Sequence, residues 1–136
     1  MVTTVKRMIF PSLPENPAII FEKRKCNKKN TSIELKIGSF LNSINETFYS
    51  NYIKDGFSFD FYLPTYNVVI ECQGDYWHMN PRKYNTPDNI QTKNINRDNK
   101  KLKYLNDNKY KYLFLWEYDI KNNFDDIKEK LKKILL

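Results

Sequence analysis

GFSFDFYLPTYNVVIECQGDYWH, residues 56–78, contains two apolar runs, Phe57–Leu63 and Val68–Gln73, separated by Pro64-Thr65-Tyr66-Asn67. Proline and asparagine between runs rich in aromatic and β-branched residues mark a turn joining two strands. Each run carries an acid, Asp60 in the first and Glu71 in the second. A carboxylate in a sheet interior is unfavourable unless it is paired, hydrogen-bonded, bound to a metal or turned to water. Side chains alternate along a strand, so Glu71 and Gln73 share a face with Val69 while Val68, Ile70 and Cys72 point the other way. Asp60 sits in the adjacent strand, and the turn lets both carboxylates converge on one point. A hard cation such as Mg²⁺ binds one or two carboxylates and completes its shell with carbonyls, waters and phosphate oxygens. Singly, Asp60 reads as a solvated strand start and Glu71 as an edge-facing residue. Together, at this spacing, they favour a metal.

The flanking sequence builds a domain around this hairpin. Thr31-Ser32-Ile33-Glu34 has the form of a capping box, and Ile33, Ile37, Phe40, Leu41 and Ile44 follow at helical spacing, which predicts a helix over about 32–46. A strand is expected near 47–53, then a turn at Lys54-Asp55-Gly56. Pro87-Asp88-Asn89-Ile90-Gln91 opens a second helix, capped by Asp88 and running to about Asn106. Tyr110 to Trp116 is a nearly continuous apolar run that suits a strand covered on both faces. Phe124, Ile127, Leu131, Ile134 and Leu135 give a closing helix with a lysine-rich outer face. Helix, three strands, helix, strand, helix makes an α/β protein with a mixed central sheet of about four strands flanked by helices. Residues 1–30, with Pro11, Pro14, Pro17 and the basic run Lys23 to Lys29, read as an extended arm before a single domain at 31–136.

At 136 residues the chain suffices for one hydrophobic core, and its net charge of +7 points to a polyanionic partner. Cys26 and Cys72 show neither disulfide-framework nor metal-ligand spacing and read as reduced thiols. No apolar stretch reaches the roughly 20 residues of a membrane span, and the N-terminus lacks a signal-peptide core. An intracellular, cytoplasmic protein without a membrane partner is expected.

His78, the single histidine, leaves the second strand seven residues beyond Glu71. There it could activate water against a phosphate held by the metal, although a lone histidine beside aromatics is more often a packed or surface residue. Asp98 shares a helix face with Asn94 on one side and Leu102 and Leu105 on the other. A face that is polar at its start and apolar at its end suits a helix beginning over a polar site, and equally one leaving the core.

Phe59-Asp60-Phe61, Val69 through His78, Lys93 through Asp98 and Leu113 through Glu117 resemble, in order, segments of the very-short-patch-repair endonucleases. They are more similar still to the related phage homing endonucleases with a Glu, Asp, His, Asp active-site set. Both belong to the PD-(D/E)XK nuclease fold, and the likeness runs from about Thr31 to the C-terminus. The resemblance implies that Asp60 binds Mg²⁺, assisted by the backbone carbonyl of Cys72, that His78 is the general base, and that Glu34 and Asp98 position or polarise it. It implies a supporting role for Asn94 and puts Glu71 at the acidic position of the wider motif. Gln73 stands where most of that superfamily has lysine. Transition-state charge would then lean more on the metal, His78 and nearby Arg82, Lys83 or Arg97. Asp75 and Tyr118 occupy two positions where the repair enzymes have zinc-binding cysteines, so no zinc is expected. Tyr76-Trp77 corresponds to an aromatic pair that wedges into DNA, against the alternative that Trp77 is core.

The expectation is therefore a Mg²⁺-dependent endonuclease acting on double-stranded DNA without an organic cofactor. A homing-type enzyme that nicks as a monomer is favoured, with a dimer left open. The alternatives are a mismatch- or junction-specific repair nuclease and a non-catalytic DNA-binding module of the same fold.

Overall fold

In the computed structural model, which describes residues 31–135, the Thr31 hydroxyl accepts the Glu34 N–H and the Glu34 carboxylate accepts the Thr31 N–H, closing the predicted capping box. Helix α1 (Ser32–Ser43) follows, ending three residues sooner than the apolar spacing suggested. Strands β1 (Tyr49–Lys54) and β2 (Phe57–Leu63) turn at Asp55-Gly56, where φ values of 51° and 84° give the two left-handed residues a tight hairpin favours. Strand β3 (Val68–Gln73), helix α2 (Asn89–Asp107) and strand β4 (Lys111–Trp116) come next, then helices α3 (Glu117–Asn122) and α4 (Phe124–Ile134). Asp88 caps α2 through a second capping box with Gln91. Helix α3 is an addition to the expected elements. The basic arm predicted for residues 1–30, with Cys26, lies outside the described residues.

The sheet has four strands in the order β1-β2-β3-β4, antiparallel except for the parallel β3–β4 pair. One face carries Phe61, Leu63, Val68, Ile70, Cys72 and Leu115, covered by Ile33, Ile37 and Leu41 of α1, Ile120 of α3, and Ile127 and Leu131 of α4. The other face carries Val69, Tyr52 and Phe59 against Leu105 of α2, with a surround of tyrosines. The alternation predicted along β3 is therefore present. Strand β4 touches both clusters but forms an edge, and of its residues only Leu115 is fully buried. Among the described residues no helix is long and apolar enough to cross a membrane.

Regular alternation fails at one place, and that place positions the site. Phe59 and Phe61, two residues apart on β2, point into opposite clusters. The β1–β2 register passes from Ser50↔Phe61 to Tyr52↔Phe59 and leaves out both Asp60 and Asn51, the latter with φ of 53°. On the other side, the β2–β3 ladder runs only through Phe61↔Ile70, Tyr62↔Val69 and Leu63↔Val68, whereas β3 pairs with β4 along its full length. Beyond Phe61, side chains replace the backbone ladder: Asp60 N–H donates to Glu71 Oε2 at 3.2 Å, and Cys72 N–H donates to Asp60 Oδ2 at 2.7 Å. The sheet is opened at its end by the two acids that the sequence placed inside it.

Candidate active site

A cleft of about 320 Å³ opens at this break. Glu34 from α1, Asp60 and Ser58 from β2, Glu71 and Cys72 from β3, Trp77 and His78 from the following loop, and Asn94, Arg97, Asp98 and Lys101 from α2 line it. Asp60 and Glu71 are both buried, as is Glu34. Burial first, and then the neighbouring Asp60 charge, pushes the Glu71 carboxyl up to about 8, while the Lys101 ammonium 3.3 Å from Oε1 pulls it down. The Asp60 charge beside it disfavours the ionised form of Glu71, and a cation between the two side chains would relieve that. The donor set fits a hard divalent ion of the Mg²⁺ type, which takes one or two carboxylates and keeps its waters. Among the described residues no group of three or more His, Cys, Asp or Glu gathers in metal-ligand fashion.

The loop after β3 is folded tightly enough to aim His78. Asn80 N–H donates to Asp75 O at 2.8 Å and His78 N–H to Gly74 O at 3.1 Å, with Met79 in the left-handed region at φ 54°. A Cβ on Gly74 would stand 3.2 Å from Trp77 Cδ1, closer than side chains normally tolerate. Helix α2 then grips this loop residue by residue. Gln91 Nε2 donates to Tyr76 O at 2.8 Å, Asn94 Nδ2 donates to Trp77 O at 2.8 Å, and Asp98 Oδ2 lies 2.6 Å from His78 Nδ1. Positions 91, 94 and 98 fall on one helix face, matching three consecutive loop residues. An ionised carboxylate only accepts, so Asp98 places the hydrogen on His78 Nδ1 and leaves Nε2 as the basic nitrogen.

Of the residues singled out in the sequence, Glu34, Asp60, Glu71, Cys72, Trp77, His78, Asn94, Arg97 and Asp98 meet at the cleft. Gln73 does not line it; buried, it borders an adjoining pocket with His78, Asp98 and Trp116. Trp77 is 56% exposed, which sets aside the core alternative, and Tyr76 packs edge-on against it with its hydroxyl on Asp88. Arg82 is engaged by Asp119 through two hydrogen bonds, and Lys83 pairs with Asp75. Positions 75 and 118 meet as well, the Tyr118 N–H donating to Asp75 Oδ1 at 3.2 Å beside the Asn80 amide at 3.0 Å. Lys101, Gln91 and Ser58 are additions. Spacing alone offered a signal for the first two, since Gln91 and Lys101 extend the Asn94–Asp98 face by three residues in either direction.

No protein-family model matches the chain, and no curated protein matches it in sequence. Among solved structures, the catalytic domain of the homing endonuclease I-Bth0305I is similar, with a TM-score of 0.59 and 23% identity over 77% of this chain and 94% of that one. The two share a fold. The mixed four-stranded sheet flanked by helices is thus similar in architecture to that domain.

Proposed function

We propose that this protein is a Mg²⁺-dependent DNA endonuclease of the PD-(D/E)XK type that hydrolyses a phosphodiester bond in the cleft at the end of β2 and β3. The observation that carries the reading is the His78–Asp98 pair at 2.6 Å opening on the same cleft as the buried Asp60 and Glu71 carboxylates. A base oriented by an acid, next to a cation site, is what phosphoester hydrolysis by water requires. The likeness to a homing endonuclease catalytic domain and the net charge of +7 point to the same substrate class.

His78 Nε2 takes a proton from a water as its oxygen forms a bond to phosphorus, and the bond from phosphorus to the leaving sugar oxygen breaks. Asp98 holds the imidazole in the acceptor tautomer and stabilises the imidazolium that results. Asn94 fixes the Trp77 carbonyl and with it the loop that carries His78. Asp60 and Glu71, with the Cys72 carbonyl, would hold the Mg²⁺, which when bound neutralises phosphate charge as a Lewis acid. Glu34, tied to the start of α1, adds a carboxylate at the wall where water must be oriented. Trp77, exposed beside the cleft, offers an indole face for stacking on a base.

One chain carries one such set of residues, so a monomer nicks one strand per encounter. Supercoiled plasmid incubated with the protein in Mg²⁺ should convert first to the nicked form, and EDTA should abolish the conversion. Unchanged plasmid in Mg²⁺ over a range of salt would refute the assignment in favour of a non-catalytic DNA-binding module. Linear product without a nicked intermediate, formed at a rate rising with the square of protein concentration, would replace the monomer with a dimer.

A further inference from the structure

The cleft is lined by four acidic side chains, Glu34, Asp60, Glu71 and Asp98, and by two basic ones, Arg97 and Lys101. A phosphodiester is itself an anion and gains charge on its non-bridging oxygens as water adds. Cations fixed in the cleft therefore matter more here than on an open surface. Arg97 stands exposed at the rim, with its guanidinium donating to Asn94 Oδ1 at 3.1 Å. Lys101 is different. Its side chain is only 15% exposed and its ammonium lies 3.3 Å from Glu71 Oε1 and 5.5 Å from the centre of the buried Phe59 ring. Glu71 is fixed in turn, because its other oxygen accepts the Asp60 N–H at 3.2 Å.

A surface lysine loses considerable side-chain entropy when it is ordered against a ligand. At position 101 that ordering is already done by a ring, a buried carboxylate and the rigid helix α2. An ammonium has three hydrogen donors, and Glu71 Oε1 takes one.

We propose that Lys101 is a catalytic residue of this site: its ammonium, held by Glu71, donates to a non-bridging oxygen of the scissile phosphate and offsets the charge that develops there. The proposal rests on the reading of the protein as an endonuclease. In the step, the water–phosphorus bond forms and the phosphorus–sugar oxygen bond breaks; Lys101 neither gains nor loses a proton.

The test compares wild type with Lys101→Met, Lys101→Gln and Lys101→Arg in single-turnover cleavage of plasmid at saturating protein and Mg²⁺. DNA affinity by fluorescence anisotropy in EDTA and Tm are measured on the same samples. Loss of one donor to a developing oxyanion typically costs about 10² to 10³ in rate. Both neutral variants should fall by at least about 10²-fold while keeping DNA affinity within about threefold and a Tm near that of wild type. Lys101→Arg should stand at least about tenfold above them, because it restores the charge. If wild type cleaves and the neutral variants stay within about tenfold of it, the proposal is wrong and the endonuclease reading stands. The proposal is also wrong if Arg is no better than Met, or if the loss follows a lowered Tm, since Lys101 then only supports the fold around Glu71. An inert wild type overturns the endonuclease reading and this inference together.

Discussion

The substitution Glu71→Gln should make the free protein more stable than wild type at alkaline pH, and the size of the gain follows from the surroundings of Glu71. Its carboxyl is raised from an ordinary value of 4.5 to about 8, by burial first and by Asp60 second. Between those two values the folded protein holds a proton that the unfolded chain has released. The associated stability is present in full below about 4.5 and is lost as pH rises through about 8. From pH 6 to the folded value is about two units, at about 1.4 kcal/mol each, so wild type should lose ~3 kcal/mol from this group between pH 6 and pH 9. For a domain of this size ~3 kcal/mol corresponds to roughly 10 °C in Tm. The amide that replaces the carboxyl can still accept the Asp60 N–H through its oxygen but does not titrate. The difference in stability between Glu71→Gln and wild type should therefore widen by that amount over the interval, while groups common to both cancel. Urea unfolding in EDTA at pH 6, 7, 8 and 9 measures it. A difference that stays constant within about 0.5 kcal/mol would show that Glu71 titrates normally and that the two carboxylates do not share a dry site.

Asp60→Asn should abolish Mg²⁺-dependent cleavage and leave DNA affinity in EDTA within a fewfold of wild type; wild-type cleavage by this variant would remove Asp60 from the metal site. Asp98→Asn should lower the single-turnover rate by about 10² to 10⁴-fold, because an amide oxygen orients Nδ1–H without stabilising the imidazolium. His78→Ala should match it, and a double variant much worse than either single would show that the two residues do not act as a unit. Trp77→Ala should weaken DNA binding by about 1–3 kcal/mol with an unchanged salt slope, since stacking releases no counterions. Titration at several salt concentrations separates the two terms, and a flattened slope with intact affinity would contradict the stacking role.

Local chemistry was legible in the sequence wherever the signal lay within a few residues. Both capping boxes, the Asp55-Gly56 turn and the alternation of Val68 to Gln73 needed only neighbours along the chain. The convergence of Asp60 and Glu71 was legible too, because a short turn fixes which strands meet. Helix α3 was not, since it starts directly from β4 with Trp116 at the cap position and no side-chain cap. Nor was the break at Asn51 and Asp60: the spacing of Phe57, Phe59 and Phe61 suggests one uninterrupted face, and only the fit of two helical layers on opposite sides sends Phe61 the other way. Lys101 was not singled out, because its partner Glu71 is thirty residues away. Arg82 and Lys83 were singled out as basic residues near the site, but their acidic partners were not foreseen. Nothing near them in sequence announced that Asp119 and Asp75 would engage both charges.

The three bonds from Gln91, Asn94 and Asp98 to residues 76, 77 and 78 make the loop and helix α2 a single exchangeable unit. An α-helix advances about 100° per residue, so one residue inserted between Gln91 and Asp98 would carry the carboxylate a quarter-turn or more away from the imidazole. A chimaera that imports Gly74 to His78 onto another scaffold thus inherits the histidine without its orientation, unless residues 88–98 travel with it. Length changes are better absorbed in the exposed stretch at 85–87, which lies between the two halves of the unit and carries none of its bonds.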